Sequence, residues 1–195
     1  MPVTTSGKPT AKGSTVRGTY AFLTDRLGVE GMDRVQARLD PDTRGLLERV
    51  EPTDEIPYDT LVALWEAIDR VLGAANPQWA EDAGAFAIDS VGVQLYGGIL
   101  RKASPSVFLT QSISLFRLYY HPGDISAVEE AAGRAVLRLI GFDPVTRLFC
   151  HRQTGGLRRA VELAGGESVR VRHVRCSIEG DAFCEWQLEW HVPRG

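Results

Sequence analysis

The chain has 195 residues, of which 44% are hydrophobic, and a formal net charge of −3. A chain of this length can bury most of its apolar surface in one domain, so it needs no disulfides in order to fold. The mildly acidic balance lacks the basic patch that nucleic acid or an anionic membrane surface would require, and we expect neither partner.

The sequence shows no targeting or membrane signal. Its N-terminus lacks the apolar core of a signal peptide, and no run approaches the ~20 apolar residues that span a bilayer. We therefore expect a cytoplasmic protein with no membrane span. Thiols stay reduced in that compartment, so the three cysteines point to metal, redox chemistry or packing rather than to a disulfide framework.

The first 76 residues predict a polar tail followed by helices. Residues 1–13 are rich in Gly, Pro, Ser and Thr, and we expect them to form a disordered tail. Apolar residues at helical spacing follow, interrupted by Gly28 and by the Asp40-Pro41 step, where Asp40 can cap a helix. This N-terminal helical subdomain, residues 14–76, contains predicted helices at 19–27, 31–39, 41–50 and 58–72, with a loop before the last one.

Residues 77–195 predict a second, α/β domain. A helix rich in small residues starts near 77, and another is capped by Ser104. After them, alternating apolar residues predict two hairpins joined by a helix. The expected fold class is α+β, with N-terminal helices followed by a four-stranded antiparallel sheet, in the order β-β-α-β-β, packed against helices. The predicted strands cover 125–130, 134–142, 168–178 and 182–192, and the connecting helix covers 145–163.

Two of the cysteines flank a predicted turn. A hairpin that pivots on Gly180 pairs residues at equal distances from it, which places Cys176 opposite Cys184. The apolar parity of the preceding strand changes near Arg172, so we predict a β-bulge there. Such a bulge would re-aim His173, which lies three positions before Cys176.

The third cysteine, Cys150, lies in the first turns of the connecting helix, which must pack on a face of the sheet. Three thiolates and one imidazole would form a closed, tetrahedral zinc site of the structural type. Residue types alone leave two alternatives open. The cysteines can be small buried apolar residues beside an exposed histidine, or Cys176 and Cys184 can form a redox or disulfide pair.

The segment around the turn resembles the 4-vinyl reductase domain, and the similarity covers residues 80–191. Members of that superfamily share a fold with relatives of heme-dependent nitric-oxide sensors and with the TRAPP vesicle-tethering subunits. The resemblance therefore implies a ligand-binding fold of the TRAPP and NO-signalling type. It is carried by Cys176, the Gly180-Asp181 turn, and Cys184 followed by Glu185 and Trp186.

Phenol-sensing bacterial transcription activators of the same superfamily carry a zinc site made of three cysteines and one acidic residue. The three cysteines of this chain resemble those ligands, and His173 occupies the acidic position, three residues before the middle cysteine. Imidazole is an equally good zinc ligand. The resemblance thus implies a structural zinc site with the ligands Cys150, His173, Cys176 and Cys184.

The chain also resembles, over most of its length, a paralogous family of uncharacterised myxobacterial proteins of similar size. The features that carry this resemblance are K-G-S-T-V-R-G at 12–18, L-D-P-D-T-R-G-L-L at 39–47 and a helix ending in L-Y-G-G-I-L. That family contributes no assigned activity.

Related sensors hold a small hydrophobic molecule between helices and sheet, and TRAPP subunits hold an acyl chain in a comparable place. We expect a non-catalytic domain that binds or senses such a ligand, signals through protein contacts and forms a homodimer through its helical face. The alternative is a protein-interaction or dimerisation scaffold with no small ligand. The candidate pocket residues, which would also suit an ordinary core, are Tyr96, Phe108, Phe116, Tyr119 and Trp186.

Heme and catalysis have little support in the sequence. Candidate axial ligands are His121, His151 and His173, but no C-x-x-C-H motif is present to attach a c-type heme. We therefore expect no heme. The sequence also lacks G-x-S-x-G, phosphate-loop and H-E-x-x-H motifs, and we expect no enzymatic activity.

Overall fold

The computed structural model describes residues 8–92 and 104–191. Within them, two helix starts follow the predicted capping chemistry. Asp40 accepts hydrogen bonds from the backbone N–H groups of Asp42 and Thr43, and Ser104 accepts one from Val107. The helices are α1 (Gly13–Gln36), α2 (Pro41–Arg49), α3 (Tyr58–Leu72), α4 (Trp79–Ala87), which continues as a π-helical turn (Ile88–Gly92), α5 (Pro105–Tyr119) and α6 (Arg147–Leu163).

Helix α1 joins two predicted helices into one element with an interruption. Gly28 has φ of +63°, inside a span that is otherwise helical. This left-handed conformation favours glycine, because a side chain there would meet the adjacent carbonyl group. The predicted break at Gly28 therefore appears as a kink between two helical segments.

The strands form two antiparallel sheets. A small sheet has the order β2-β1-β3, and a four-stranded sheet has the order β4-β5-β7-β6. Helices and antiparallel sheets thus make a mixed α+β fold, as the sequence predicts. The strands are β1 (Thr10–Lys12), β2 (Glu55–Pro57), β3 (Tyr120–His121), β4 (Asp124–Ala131), β5 (Arg134–Ile140), β6 (Glu167–Arg175) and β7 (Glu185–His191).

The small sheet corrects one expectation from the sequence. Strand β1 lies within residues 1–13, the predicted disordered tail, and pairs with both β2 and β3. The tail prediction is therefore wrong for Thr10–Lys12. Three-residue strands contribute too little periodic pattern to be recognised, and their pairing partners lie far away in the sequence. Backbone hydrogen bonds to distant segments, rather than local propensity, order this part of the chain.

The hairpin that carries two cysteines contains a bulge at the end of β6. Next to the turn, Arg175 lies opposite Glu185, at equal distances from Gly180 as predicted. The register then shifts between His173 and Arg175, so that His173 lies opposite Trp186. Gly180 supports the turn with φ of +99°. The bulge reverses the parity of the strand and turns His173 to the same face as Trp186.

Two glycines allow α4 and α6 to cross closely. A Cβ atom on Gly84 would lie 2.0 Å from the Arg152 carbonyl oxygen, and one on Gly155 would lie 1.9 Å from the Glu81 carbonyl oxygen. Only residues without a side chain fit at these two points. Helix α6 is thereby held between α4 and the sheet, and it carries the residues of both features described next.

A buried aromatic cluster joins the helical half to the sheet half. Its rings make mainly edge-to-face contacts with centroids 4.9–6.4 Å apart, a favourable geometry for aromatic pairs. Tyr58 also donates a hydrogen bond of 2.9 Å to the Pro144 carbonyl oxygen. The cluster consists of Tyr58, Phe116, Tyr120, Phe142 and Phe149.

None of the described helices is long and apolar enough to cross a membrane.

Candidate metal centre and cavity

The structure brings the four sequence-predicted metal ligands together. Cys150 lies in the first turn of α6, His173 in β6, Cys176 directly after β6, and Cys184 directly before β7. One ligand atom from each residue lies within 4.8 Å of those of the other three. All three cysteines are buried free thiols. Residues from three separate elements thus converge on one point between helix and sheet.

The distance between two of the sulfurs fits a shared ion. Cys150 Sγ and Cys184 Sγ are 3.8 Å apart. A tetrahedral ion with zinc–sulfur bonds of about 2.3 Å separates two thiolate ligands by about 3.8 Å, whereas a disulfide requires about 2.05 Å. The spacing is therefore that of two ligands, or of two hydrogen-bonded thiols, and not that of a disulfide.

The turn between the two hairpin cysteines is tied down by hydrogen bonds. Asp181 Oδ2 accepts a hydrogen bond of 2.7 Å from the Cys176 backbone N–H, and the Ser177 N–H lies 3.4 Å from Cys184 Sγ. The Ser177 hydroxyl lies 3.3 Å from the same sulfur. Outer donors of this kind orient a thiolate and stabilise its charge.

His173 is held by stacking against an aromatic ring. Its ring lies parallel to that of Trp186, with centroids 4.7 Å apart and planes 23° apart. Trp186 Nε1 donates to Thr154 Oγ1, which donates in turn to the Cys150 carbonyl oxygen. His173 Nε2 is buried and has no hydrogen-bond partner among the described residues. A buried nitrogen without a hydrogen-bond partner destabilises the fold unless the nitrogen binds a ligand or a metal ion.

The pKa values of Cys150 and Cys184 are shifted in opposite directions. Hydrogen bonding from the Cys150 thiol lowers the pKa of Cys184, against the opposing effect of burial, and hydrogen bonds from His173 and Ser177 add to the lowering. The same contact, together with burial, raises the pKa of Cys150 well above its usual range. Of the two sulfurs, Cys184 is therefore the one that loses its proton more readily, and Cys150 is its hydrogen-bond donor. Buried sulfurs beside an imidazole form a donor set suited to a soft divalent cation.

A cavity of about 130 Å³ lies on the other side of α6. Its walls come from the start of α1, the end of α4, the junction of α5 with β3, and α6. Three glycines leave the space open, and five hydroxyl or amide groups are distributed around it. The polar residues of the lining are Ser14, Thr15, Tyr119, Tyr120, Arg152 and Gln153.

The predicted pocket residues are distributed differently. Tyr119 lines this cavity, whereas Phe108 and Phe116 are buried core residues outside its lining, and Trp186 packs against His173. Tyr96 lies outside the described residues. Sequence reasoning missed Arg152, although Arg152 follows Phe149 by three positions on the inward face of an amphipathic helix, and a charged residue there is a readable signal.

Comparison with solved structures identifies the fold. An H-NOX protein from S. oneidensis in its Fe(II)NO state matches with a TM-score of 0.71 and 14% identity, over 92% of this chain and 99% of that one. The unliganded Fe(II) H-NOX protein from K. algicida matches with a TM-score of 0.69 and 11% identity, over 93% and 97%. A structure from work on heme distortion in the H-NOX family gives 0.67 and 13%, over 94% and 97%. No family model and no curated protein matches the sequence.

These neighbours overturn the expectation of no heme. The fold of the chain is that of heme proteins, so the missing C-x-x-C-H motif excludes only the covalent, c-type attachment. The candidate axial histidines lie apart from one another. His121 is exposed in β3, His151 Nδ1 lies 3.9 Å from Glu81 Oε1, and His173 belongs to the sulfur cluster.

The cavity offers heme suitable donors in kind. Tyrosine is an axial ligand of heme iron in catalase, and arginine pairs with carboxylates such as the heme propionates. Tyr119, Tyr120 and Arg152 would supply these groups, and bound heme would supply an iron centre. The volume of about 130 Å³ is below the ~300–1,000 Å³ of pockets for drug-sized ligands. A porphyrin would therefore need space beyond the lining that these residues form.

Proposed function

We propose that this chain is a non-catalytic domain that binds a small molecule, is held together by a structural zinc ion, and signals through protein contacts. One observation carries the proposal. Helix α6 contributes Cys150 to the sulfur cluster and Arg152, two residues later, to the wall of the cavity. A metal ion that fixes the start of α6 would therefore also fix the wall of the ligand site.

Zinc is the cation that the donor set favours. Three sulfurs and one imidazole nitrogen are soft and borderline ligands, and zinc accepts such a set in tetrahedral geometry. Four protein ligands would leave no open position for substrate or water, which is the mark of a structural site. The ion would clamp α6 to the β6-β7 hairpin, so that its binding free energy would add to that of folding.

The absence of a catalytic role is part of the same proposal. Cys184, the sulfur whose pKa is lowered, is 1% exposed and hydrogen-bonded within the cluster, so a substrate could not reach it. A cytoplasmic location would keep all three thiols reduced and available for the ion. We further propose that residues 77–195 form most of the ligand-binding unit and that residues 14–76 act as a helical subdomain, which adds the start of α1 to the wall of the cavity.

A second candidate function is a scaffold that dimerises or recruits a partner without a small ligand. Val107 and Leu118 on α5 are each 47% exposed. Residues eleven positions apart lie within about 20° of each other around a helix, so these two exposed side chains lie on the same helical face of α5. Exposed apolar side chains favour contact with a second copy of the chain or with another protein. We propose a homodimer through this helical face as the form in which either function would operate.

Native mass spectrometry of untagged protein, together with elemental analysis, tests these proposals. We expect one zinc per chain and, in gently purified protein, an additional organic mass. A zinc-only mass with a dimer peak would favour the scaffold instead. An increment equal to heme, accompanied by its absorption band, would identify the ligand as heme. Equal zinc in the wild type and in Cys176→Ser would contradict the metal centre.

A further inference from the structure

We propose that the cavity beside α6 binds a small organic monoanion, a carboxylate with a compact apolar body, and that Arg152 is the residue that recognises it. This inference rests on the proposed small-molecule function and names the class of ligand. It is carried by a buried arginine whose charge no described residue neutralises.

Arg152 is a buried cation with few polar contacts. Its side chain is 7% exposed and lines the cavity. Nη2 lies 3.4 Å from Thr19 Oγ1, a long contact, and the guanidinium carbon lies 4.9 Å from the centre of the Trp65 ring. Nη1 is buried and has no hydrogen-bond partner among the described residues.

Two other arginines of the structure have the carboxylate partner that Arg152 lacks among the described residues. Arg138 Nη2 lies 2.7 Å from Glu185 Oε2, and Arg158 Nη1 lies 3.1 Å from Glu81 Oε2. Both of these are more exposed than Arg152, yet each has a carboxylate. In the part of the chain that the structure describes, the ionisable groups that act on the pKa of Arg152 are the phenols of Tyr58 and Tyr120, which are neutral near pH 7 because burial raises their own pKa values. Arginine stays protonated in proteins, so its charge remains unbalanced.

A buried cation without a partner destabilises the folded protein, because the cation loses its hydration and gains no attraction to an opposite charge. A carboxylate in the cavity would supply the missing partner. It would accept charge-assisted hydrogen bonds from Nη1, which otherwise has none. The hydroxyls of Tyr120 and Ser14 lie in the same lining and are donors of the kind that a second carboxylate oxygen accepts.

The size and charge of the cavity narrow the ligand further. An apolar cavity of about 150 Å³ accepts benzene, and this cavity measures about 130 Å³. The body of the ligand is therefore a single ring or a short chain. One arginine balances one negative charge, which favours a carboxylate over a phosphate dianion. Ala87 and Ile88 in the lining provide apolar contact surface for that body.

Binding of matched acids and amides tests the inference. Benzoate, phenylacetate and hexanoate are titrated into zinc-loaded wild-type protein by NMR and calorimetry, beside the corresponding neutral amides. We expect each acid to bind about 10- to 100-fold more tightly than its amide, which is the ordinary effect of a hydrogen bond to a charged group. This comparison needs no variant, so it does not depend on the folding of one.

Two variants then locate the preference. Arg152→Gln should remove the difference between acid and amide, whereas Arg159→Gln, on the same helix but paired with Asp89 and Glu162, should keep it. Equal affinity for acids and amides in the wild type would overturn the inference and leave a neutral ligand site. Binding of neither class would also overturn it, while the organic mass in purified protein would still decide the broader function.

Discussion

His173 lies flat against Trp186, with ring centroids 4.7 Å apart, and this stack holds an imidazole beside three buried sulfurs. The contact exists because the bulge at the end of β6 places the two residues opposite each other on the same face. The hairpin thereby presents two sulfurs and one nitrogen to the sulfur of α6. Properties of this metal centre, of the crossing of α4 and α6 and of the aromatic cluster can be measured.

The first prediction distinguishes the two histidines near the cluster. His173→Ala should lose stoichiometric zinc, because three ligands remain, and should lower the free energy of unfolding by at least about 2 kcal/mol. His173→Asp should retain zinc, because a carboxylate oxygen is also a zinc ligand. Zinc content and urea unfolding measure both effects. His151→Ala, next to Cys150 in the chain but outside the cluster, is the control and should keep its zinc.

The second prediction concerns the protons released when zinc binds. Ligand thiols must lose their protons, and the hydrogen bond from the Cys150 thiol lowers the pKa of Cys184, so Cys184 should lose its proton before zinc binds. Zinc binding to metal-free protein at pH 7 should therefore release fewer than three protons, with one of them from Cys150. Calorimetry in buffers of different ionisation enthalpy counts them. Release of three full protons would show that Cys184 is protonated before zinc binds.

The third prediction tests the close crossing of α4 and α6. Gly155→Ala should reduce the free energy of unfolding by about 1–3 kcal/mol, because the new Cβ would meet the Glu81 carbonyl oxygen at 1.9 Å. Gly156→Ala is the matched control, with its nearest atom at 3.5 Å, and should be neutral or stabilising by up to about 1 kcal/mol. Urea denaturation of both variants makes the comparison. Equal destabilisation would mean that the helices do not cross at Gly155.

The fourth prediction is a loss of stability at high pH. Burial raises the pKa of Tyr120 from 10.0 to about 12. Above pH 10 the unfolded chain has lost this proton while the folded chain keeps it, so stability falls as pH rises towards 12. Each such proton contributes up to about 1.4 kcal/mol per pH unit. Tyr120→Phe should therefore show a shallower decline in the free energy of unfolding between these two pH values.

A control separates this proton effect from a general loss of stability. Phe142→Leu removes a ring from the same aromatic cluster without removing an ionisable group. It should lower stability at every pH and leave the steepness of the decline unchanged. A decline equally steep in Tyr120→Phe and in the wild type would assign the effect to other groups.

Much of the architecture could be predicted from local patterns. Capping by Asp40 and Ser104, the break at Gly28 and the alternation of Cys184, Trp186, Leu188 and Trp190 were readable, because each depends on residues within a few positions of one another. The small sheet was not readable, since Thr10–Lys12 gains its order from Glu55–Pro57 and Tyr120–His121, which are distant in the sequence.

For the metal centre and the cavity too, some features follow from the local sequence and others only from the fold. The sequence by itself indicated the four candidate metal donors, from the Gly180 turn, the change of strand parity near His173 and the position of Cys150 in the connecting helix. Only the tertiary structure decided that their ligand atoms come within 4.8 Å of one another, and that Arg152, on the same helix as Cys150, is buried without a carboxylate among the described residues. Both facts depend on the crossing of α6 with α4 at Gly84 and Gly155. Pairing and burial of charge are properties of the assembled fold, since partners are brought together by packing and not by spacing along the chain.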